Sequence, residues 1–228
     1  MKAFISFFAA TALSVSAAQA TTFYTTTGGF AANGTGGGTG AGAGFQEYTI
    51  DGLILTVTAG LYTDTAVTGD AVVTPGSRDA EPRVWSPGTG IDHDGGAGLP
   101  DDDDHQVDGD MGNEVLILAF NQQVQLSSAL FSYVGSNDGF DFFADTNGDG
   151  ILERLAQDID IPGSNLANLF SFNIISNLFG IGASGANDEW KLKAITALPV
   201  ADVPLPASLP LFLAGVAGFG FASRKKRI

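Results

Sequence analysis

Cysteine is absent from the 228 residues, which excludes a disulfide framework, a thiol nucleophile and a zinc–thiolate site. Basic residues are scarce: ten Lys and Arg stand against 25 Asp and Glu, for a net charge of −15. Every acid lies between Glu47 and Asp202, an interval whose only Lys and Arg are Arg78, Arg83, Arg154, Lys191 and Lys193. A surface that negative repels phosphate backbones, so nucleic acid is not an expected partner. Histidine occurs twice, and there is no G-x-S-x-G elbow, phosphate-binding loop or H-E-x-x-H pair. The body of the chain has no sustained helical period and no repeat at fixed spacing, which argues against a helical bundle, a solenoid or a propeller.

What is present begins with two hydrophobic ends. Lys2 precedes an apolar run at 3–13, and Ala18-Gln19-Ala20 has the small–x–small form that signal peptidase reads. Residues 1–20 are expected to be a signal peptide cleaved after Ala20, with a buried N-terminal helix as the plainer reading. At the other end, an apolar stretch at 208–222 is weakened by Pro210, Gly215, Gly218 and Gly220 and is slightly short for a bilayer core of about 30 Å. Arg224, Lys225, Lys226 and Arg227 follow it and would hold that end on the cytoplasmic side. Taken alone, 200–228 also reads as a single-pass anchor.

Between these ends, 21–27 is rich in Thr and aromatics and reads as a strand, whereas 28–44 is too rich in glycine to build a core and reads as a flexible loop. Short alternating runs at 45–50, 53–58 and 71–74, a nearly continuous apolar run at 115–120, and further runs at 121–126, 129–134, 140–144, 170–175 and 189–196 read as strands. One helical turn is expected at 166–169. Turn residues recur every 8–12 positions or so, the mark of an all-β sandwich of jelly-roll type over 45–199.

The tail carries a resemblance. Val203-Pro204-Leu205-Pro206-Ala207, a short hydrophobic segment and a basic end resemble the VPLPA-type PEP-CTERM sorting tail. The resemblance implies a Gram-negative exopolysaccharide producer, processing by an exosortase-type membrane enzyme in or near 203–207, and delivery to the cell surface or extracellular matrix. The body resembles, more loosely, the ectodomains that precede such tails, through 103–108, 113–120, 138–145 and the strand at 190–196. This implies a surface β-sandwich without an assigned reaction.

The strongest small motif is the turn from Asp145 to Glu153. Calcium takes six to eight oxygens, and Asp145, Asn147 and Asp149 offer side-chain oxygens at alternate positions, with a carbonyl from Ile151 and the carboxylate of Glu153 in reach. Ala156 stands where an EF-hand needs its bidentate acid, so a weak structural site is expected. The same residues also read as an Asn-Gly and Asp-Gly hairpin with solvated acids. A second acidic tract runs through Asp92, Asp94, 101–104, Asp108 and Asp110 with His93 and His105, and reads chiefly as a solvated loop. Trp190 sits in an alternating strand as a core residue, while Trp85, beside a Ser-Pro-Gly turn, is the candidate for stacking on sugar. The first expectation is therefore a non-enzymatic surface or matrix protein associated with exopolysaccharide. A calcium-dependent carbohydrate-binding module and a glycan hydrolase using two carboxylates are the alternatives.

Overall fold

The run from Asn113 to Ser132 is buried without a break from Glu114 to Leu118 and again from Val124 to Leu126, but Asn121, Gln122 and Gln123 in its middle are exposed. One strand thus serves two sheets and turns a corner between them, as in sandwiches whose corners are made by continuous strands. The computed structural model describes residues 19–26, 45–64, 71–75, 80–85, 87–93, 106–109, 112–185 and 187–200, with the backbone alone at 64, 71–75, 80, 81, 85, 92 and 93. The strands are β1 (Thr21–Tyr24), β2 (Gln46–Ile50), β3 (Leu53–Asp64), β4 (Ala71–Pro75), β5 (Ala80–Trp85), β6 (Gly88–His93), β7 (Val107–Asp108), β8 (Asn113–Ser132), β9 (Gly139–Ala144), β10 (Glu153–Asp160), β11 (Leu166–Asn168), β12 (Ile175–Ala183) and β13 (Glu189–Pro199).

All pairings are antiparallel. Residues 113–120 of β8 lie between β3 and β12; β9 and then β10 extend the sheet beyond β12, and β2 and β4 share the far edge of β3. Residues 124–132 of β8 lie between β11 and β13, whose other edge takes β1, β6 and β7 in turn, with β5 outside β6. The architecture is the all-β sandwich expected from the alternating runs. Asp51 and Gly52, both at positive φ (50° and 83°), close the β2–β3 hairpin in the two-residue geometry that Asp-Gly favours.

Register in the second sheet sets what faces inward. Phe23, Ile195, Ala129 and Ala167 are paired across β1, β13, β8 and β11, and all four are buried in the main core. Alternation turns the neighbouring rows to the other face, although Ala194, beside a register shift in β13, is itself buried. One is Thr22–Thr196–Ser128–Asn168, hereafter the hydroxyl row; the other is Tyr24–Ala194–Leu130–Leu166, the apolar row.

Aromatic rings hold the sheets together. Phe131 of β8 meets Trp190 of β13 edge-on at 4.9 Å and Phe140 of β9 at 5.2 Å, and Phe120 meets Phe23 and Phe179 at 6.1 and 6.2 Å. Trp190 is fully buried, and its indole N–H donates to the carbonyl of Gly139 at 3.0 Å, tying β13 to the start of β9. Strand β9 is buried on both faces: Phe140, Phe142 and Ala144 enter the main core, while Phe143 joins Tyr62, Val115, Ile117 and Leu152 in a second cluster. Gly182 makes room for it, since a Cβ there would come within 2.7 Å of the Tyr62 ring.

Three expectations change. Residues 166–168 are a strand rather than a helical turn, because Leu166, Ala167 and Asn168 pair with Leu130, Ala129 and Ser128. A 3₁₀ turn at Phe170–Phe172, closed by Asn173 at φ 52°, replaces the strand expected at 170–175, and pairing resumes only at Ile175. The runs at 121–126 and 129–134 are not separate strands but the continuation of β8 to Ser132. Residues 1–18 of the expected signal peptide, the glycine-rich segment at 28–44 and the tail from 201 lie outside the described residues.

Replacing Trp190 by Ala should lower stability by about 3–5 kcal/mol, the range for a fully buried aromatic. Trp190→Phe should cost less and still leave the Gly139 carbonyl unpaired. Urea unfolding monitored by circular dichroism measures both; a loss below about 1 kcal/mol for Trp190→Ala would contradict this packing.

Candidate functional site

The site grows out of the end of β9. Its strand edge delivers Asp145 into a bulge of β12 between Ser176 and Leu178. The amide of Asp145 donates to the Leu178 carbonyl at 3.0 Å, and its carbonyl accepts the Ser176 hydroxyl at 2.7 Å. The backbone of Asp145 is thereby fixed, and its carboxylate folds over the turn that follows. Gly148 and Gly150 take φ of 80° and 83°, a conformation open to glycine, and their amides donate to Asp145 Oδ1 at 2.6 Å and Oδ2 at 2.8 Å. Asn147 Oδ1 accepts the Asp149 amide, and Asp149 Oδ1 the Ile151 amide, both at 2.9 Å. Glu153, at the start of β10, accepts from the Thr146 hydroxyl and from Asn147 Nδ2. Ile151 points into solvent, but Leu152 is buried in the second cluster and pins the turn onto the first sheet.

Desolvation acts to raise the Asp145 pKa, but the amides of Gly150, Gly148, Asn147 and Asp149 outweigh it and hold the carboxyl below the usual aspartate range. Asp145 is therefore a fixed anion at neutral pH. All five residues expected at a calcium site are brought onto one turn, and its donors are oxygens only. Yet Asp145, Asn147, Asp149 and Glu153 each already accept or donate hydrogen bonds within the turn, and among the described residues no three His, Asp or Glu side chains gather closely enough to hold a metal ion. In this arrangement the turn is the amide-closed hairpin; a cation would have to draw on lone pairs left over on these oxygens.

Sequence reasoning missed Asp141 as a polar centre. It is fully buried, and its carboxylate accepts from Tyr62 Oη (2.9 Å), Ser184 Oγ (3.1 Å), the Asp158 amide (2.8 Å) and Arg154 Nη1 (3.3 Å). The Arg154 ion pair is itself largely buried. The alternation of β9 was the available signal: it puts Asp141 on the same face as Phe143 and opposite Phe140 and Phe142. Ser176 gave no signal, because its bulge is set by tertiary pairing.

Trp190 is in the core, as expected. Trp85 pairs with Gly88 at the β5–β6 turn, but its side chain lies outside the described residues. So do the side chains of Asp92 and His93, and all of Asp94, 101–104, His105 and Asp110. Of the second tract, Asp108 is described: it is buried, and its amide donates to Glu114 Oε2 at 3.0 Å.

Because the folded pKa of Asp145 is depressed, its contribution is present above the unfolded value of about 3.9 and is lost as pH falls through the folded value. Asp145→Asn should thus destabilise by on the order of 1–2 kcal/mol at pH 7, and the gap should close on acidification below about pH 4. Urea midpoints across that range test this, and a gap that stays constant would contradict it. Compared with family models, with curated proteins and with solved structures, the chain matches none, so the chemistry of the site rests on its own residues.

Proposed function

We propose that the chain is a non-catalytic exported protein of the cell surface or extracellular matrix of a Gram-negative bacterium. In this reading, signal peptidase cleaves after Ala20. The tail is processed by an exosortase-type membrane enzyme at or near Val203-Pro204-Leu205-Pro206-Ala207, and the β-sandwich remains with exopolysaccharide. The observation that carries the reading is the pairing of β1 with β13. Thr21, the expected first residue of the mature chain, lies opposite Ala197, six residues before the sorting motif. Both hydrophobic ends therefore leave the sandwich at one corner, a geometry in which each could meet the same membrane during export. Among the described residues no helix is long and apolar enough to cross a membrane; the tail itself lies outside them.

Calcium at the turn from Asp145 to Glu153 belongs to the same proposal as a stabilising ion. The ionised Asp145 and an all-oxygen donor set support it.

Two measurements test this reading. Intact mass of the protein recovered from producing cells should give a chain starting at Thr21 and ending in or near 203–207. Deleting 223–228 should block the C-terminal trimming, and an unchanged mass and fractionation after the deletion would count against sorting. For calcium, Asp149→Ala should lower the melting temperature by several degrees in millimolar calcium and leave it within about a degree of the parent in chelator. Equal losses in both conditions would remove the ion from the proposal.

A further inference from the structure

Five Asp-Gly or Asn-Gly dipeptides lie among the described residues, at 51–52, 108–109, 138–139, 147–148 and 149–150. In such a dipeptide the glycine nitrogen can attack the side-chain carbonyl carbon before it, and glycine has no Cβ to hinder the approach. The turn after β9 holds two of them in succession and requires glycine at both, since Gly148 and Gly150 sit at φ of 80° and 83°. Residues 146–150 are exposed, so water reaches them. The side-chain oxygens of Asn147 and Asp149 accept the amides of Asp149 and Ile151 at 2.9 Å, so each side chain spans the glycine that would attack it. What opposes the attack is Asp145. Its Oδ1 takes the Gly148 N–H at 2.6 Å and its Oδ2 the Gly150 N–H at 2.8 Å, so one carboxylate holds both nucleophilic nitrogens. The arrangement recurs at the start of β9, where Asp188 Oδ1 takes the Gly139 N–H of Asp138-Gly139 at 2.8 Å.

We infer that Asn147 is a latent deamidation site and that Asp145 is the positioning residue that keeps it closed, with Asp149 guarded in the same way. The reaction needs the Gly148 nitrogen without its proton. Removing a proton that is bonded to a carboxylate breaks a charge-assisted bond and sets a second negative charge beside the first, and both effects oppose it. Once the bond to Asp145 opens, hydroxide takes the Gly148 proton and the nitrogen forms a bond to Asn147 Cγ. The Cγ–Nδ2 bond breaks, and the leaving nitrogen takes a proton from water and departs as ammonia. The product is a succinimide ring. Water adds to either of its carbonyls and opens it to aspartate or isoaspartate. At Asp149 the same ring forms from the protonated acid with loss of water. An isoaspartate at either position adds a methylene to the main chain, which shifts the glycine amides out of register with the Asp145 oxygens. The carboxylate at the head of the turn thus shields the two bonds that its glycines expose to attack. The inference rests neither on export nor on calcium.

The test incubates the full chain in mild detergent and chelator at mildly alkaline pH and follows the proteolytic peptide that carries 145–153. Deamidation at Asn147 adds about one dalton, and isoaspartate content is read on the same peptide. The folded parent should react about tenfold or more slowly than the same chain in concentrated urea, since only the opened turn reacts. Asp145→Ala, which removes both acceptors, should raise the folded rate by about fivefold or more. Trp190→Phe, which weakens the core away from the turn, should leave that rate within about twofold of the parent. Melting temperatures above the incubation temperature establish that the variants are folded; should Asp145→Ala fail this, Asp145→Asn replaces it with a smaller rise expected. An Asn147 that reacts as fast in the folded parent as in urea, or that does not react even in urea, would overturn the inference. So would an Asp145→Ala rate equal to the parent's, or an equal rise in Trp190→Phe, which would assign the protection to the fold at large.

Discussion

Strand β8 shares ladders with β3 and β12 along 113–120 and with β11 and β13 along 124–132. Sliding one sheet over the other would require β8 to move relative to partners in both, and a slip of one residue in either ladder would turn Phe131 or Leu118 out of the core. The corner is held from both sides. Asn121 accepts the Ile54 amide at 2.9 Å and donates to the Gly52 carbonyl at 3.0 Å, and the Gln123 carbonyl accepts the Val200 amide at 3.0 Å. The hairpin turn of the first sheet and the exit of the last strand are thus fastened to the same corner, at Asn121 and Gln123. The core aromatics then only have to fill a space whose walls are already in register.

A chain this short of cations satisfies its buried acids with backbone amides. Asp138 accepts the Gly135 amide, Asp188 that of Gly139, Glu114 that of Asp108, Asp141 that of Asp158, and Asp145 those of Gly148 and Gly150. Glycine donates in three of these five cases, and in the turn at Asp145 it does so from a backbone conformation that other residues resist. At these positions glycine and acid work as a pair. Carboxylates close the loops that glycines make, and Arg154, which does reach a buried acid, is shared with three further donors to Asp141.

The alternating runs made the class of fold legible, and they located β2, β9 and β13 within a residue or two at their starts. The corner was not legible, because Asn121-Gln122-Gln123 looks like a boundary between strands when read locally; only the pairing on both sides shows the backbone continuing. Strand β11 was lost for a related reason. Leu166 and Ala167 are good helix formers, and the segment becomes a strand through its partners on β8. At the candidate site the oxygen-bearing positions were visible as a spacing, whereas the inward turn of the Asp145 carboxylate depends on Ser176 and Leu178, thirty residues away. Asp141 was hidden by its own surroundings: an acid among three phenylalanines looks exposed until the second face of β9 is found to be covered by Leu152 and Tyr62.

The last strand lies between β8 on one edge and β1, β6 and β7 on the other, and its chain leaves the sandwich at Val200. Tension applied along the departing chain would run parallel to these ladders and load their hydrogen bonds together, in shear, rather than opening them one rung at a time. Load on that exit would therefore be met by several ladders at once, the arrangement in which strands part least readily.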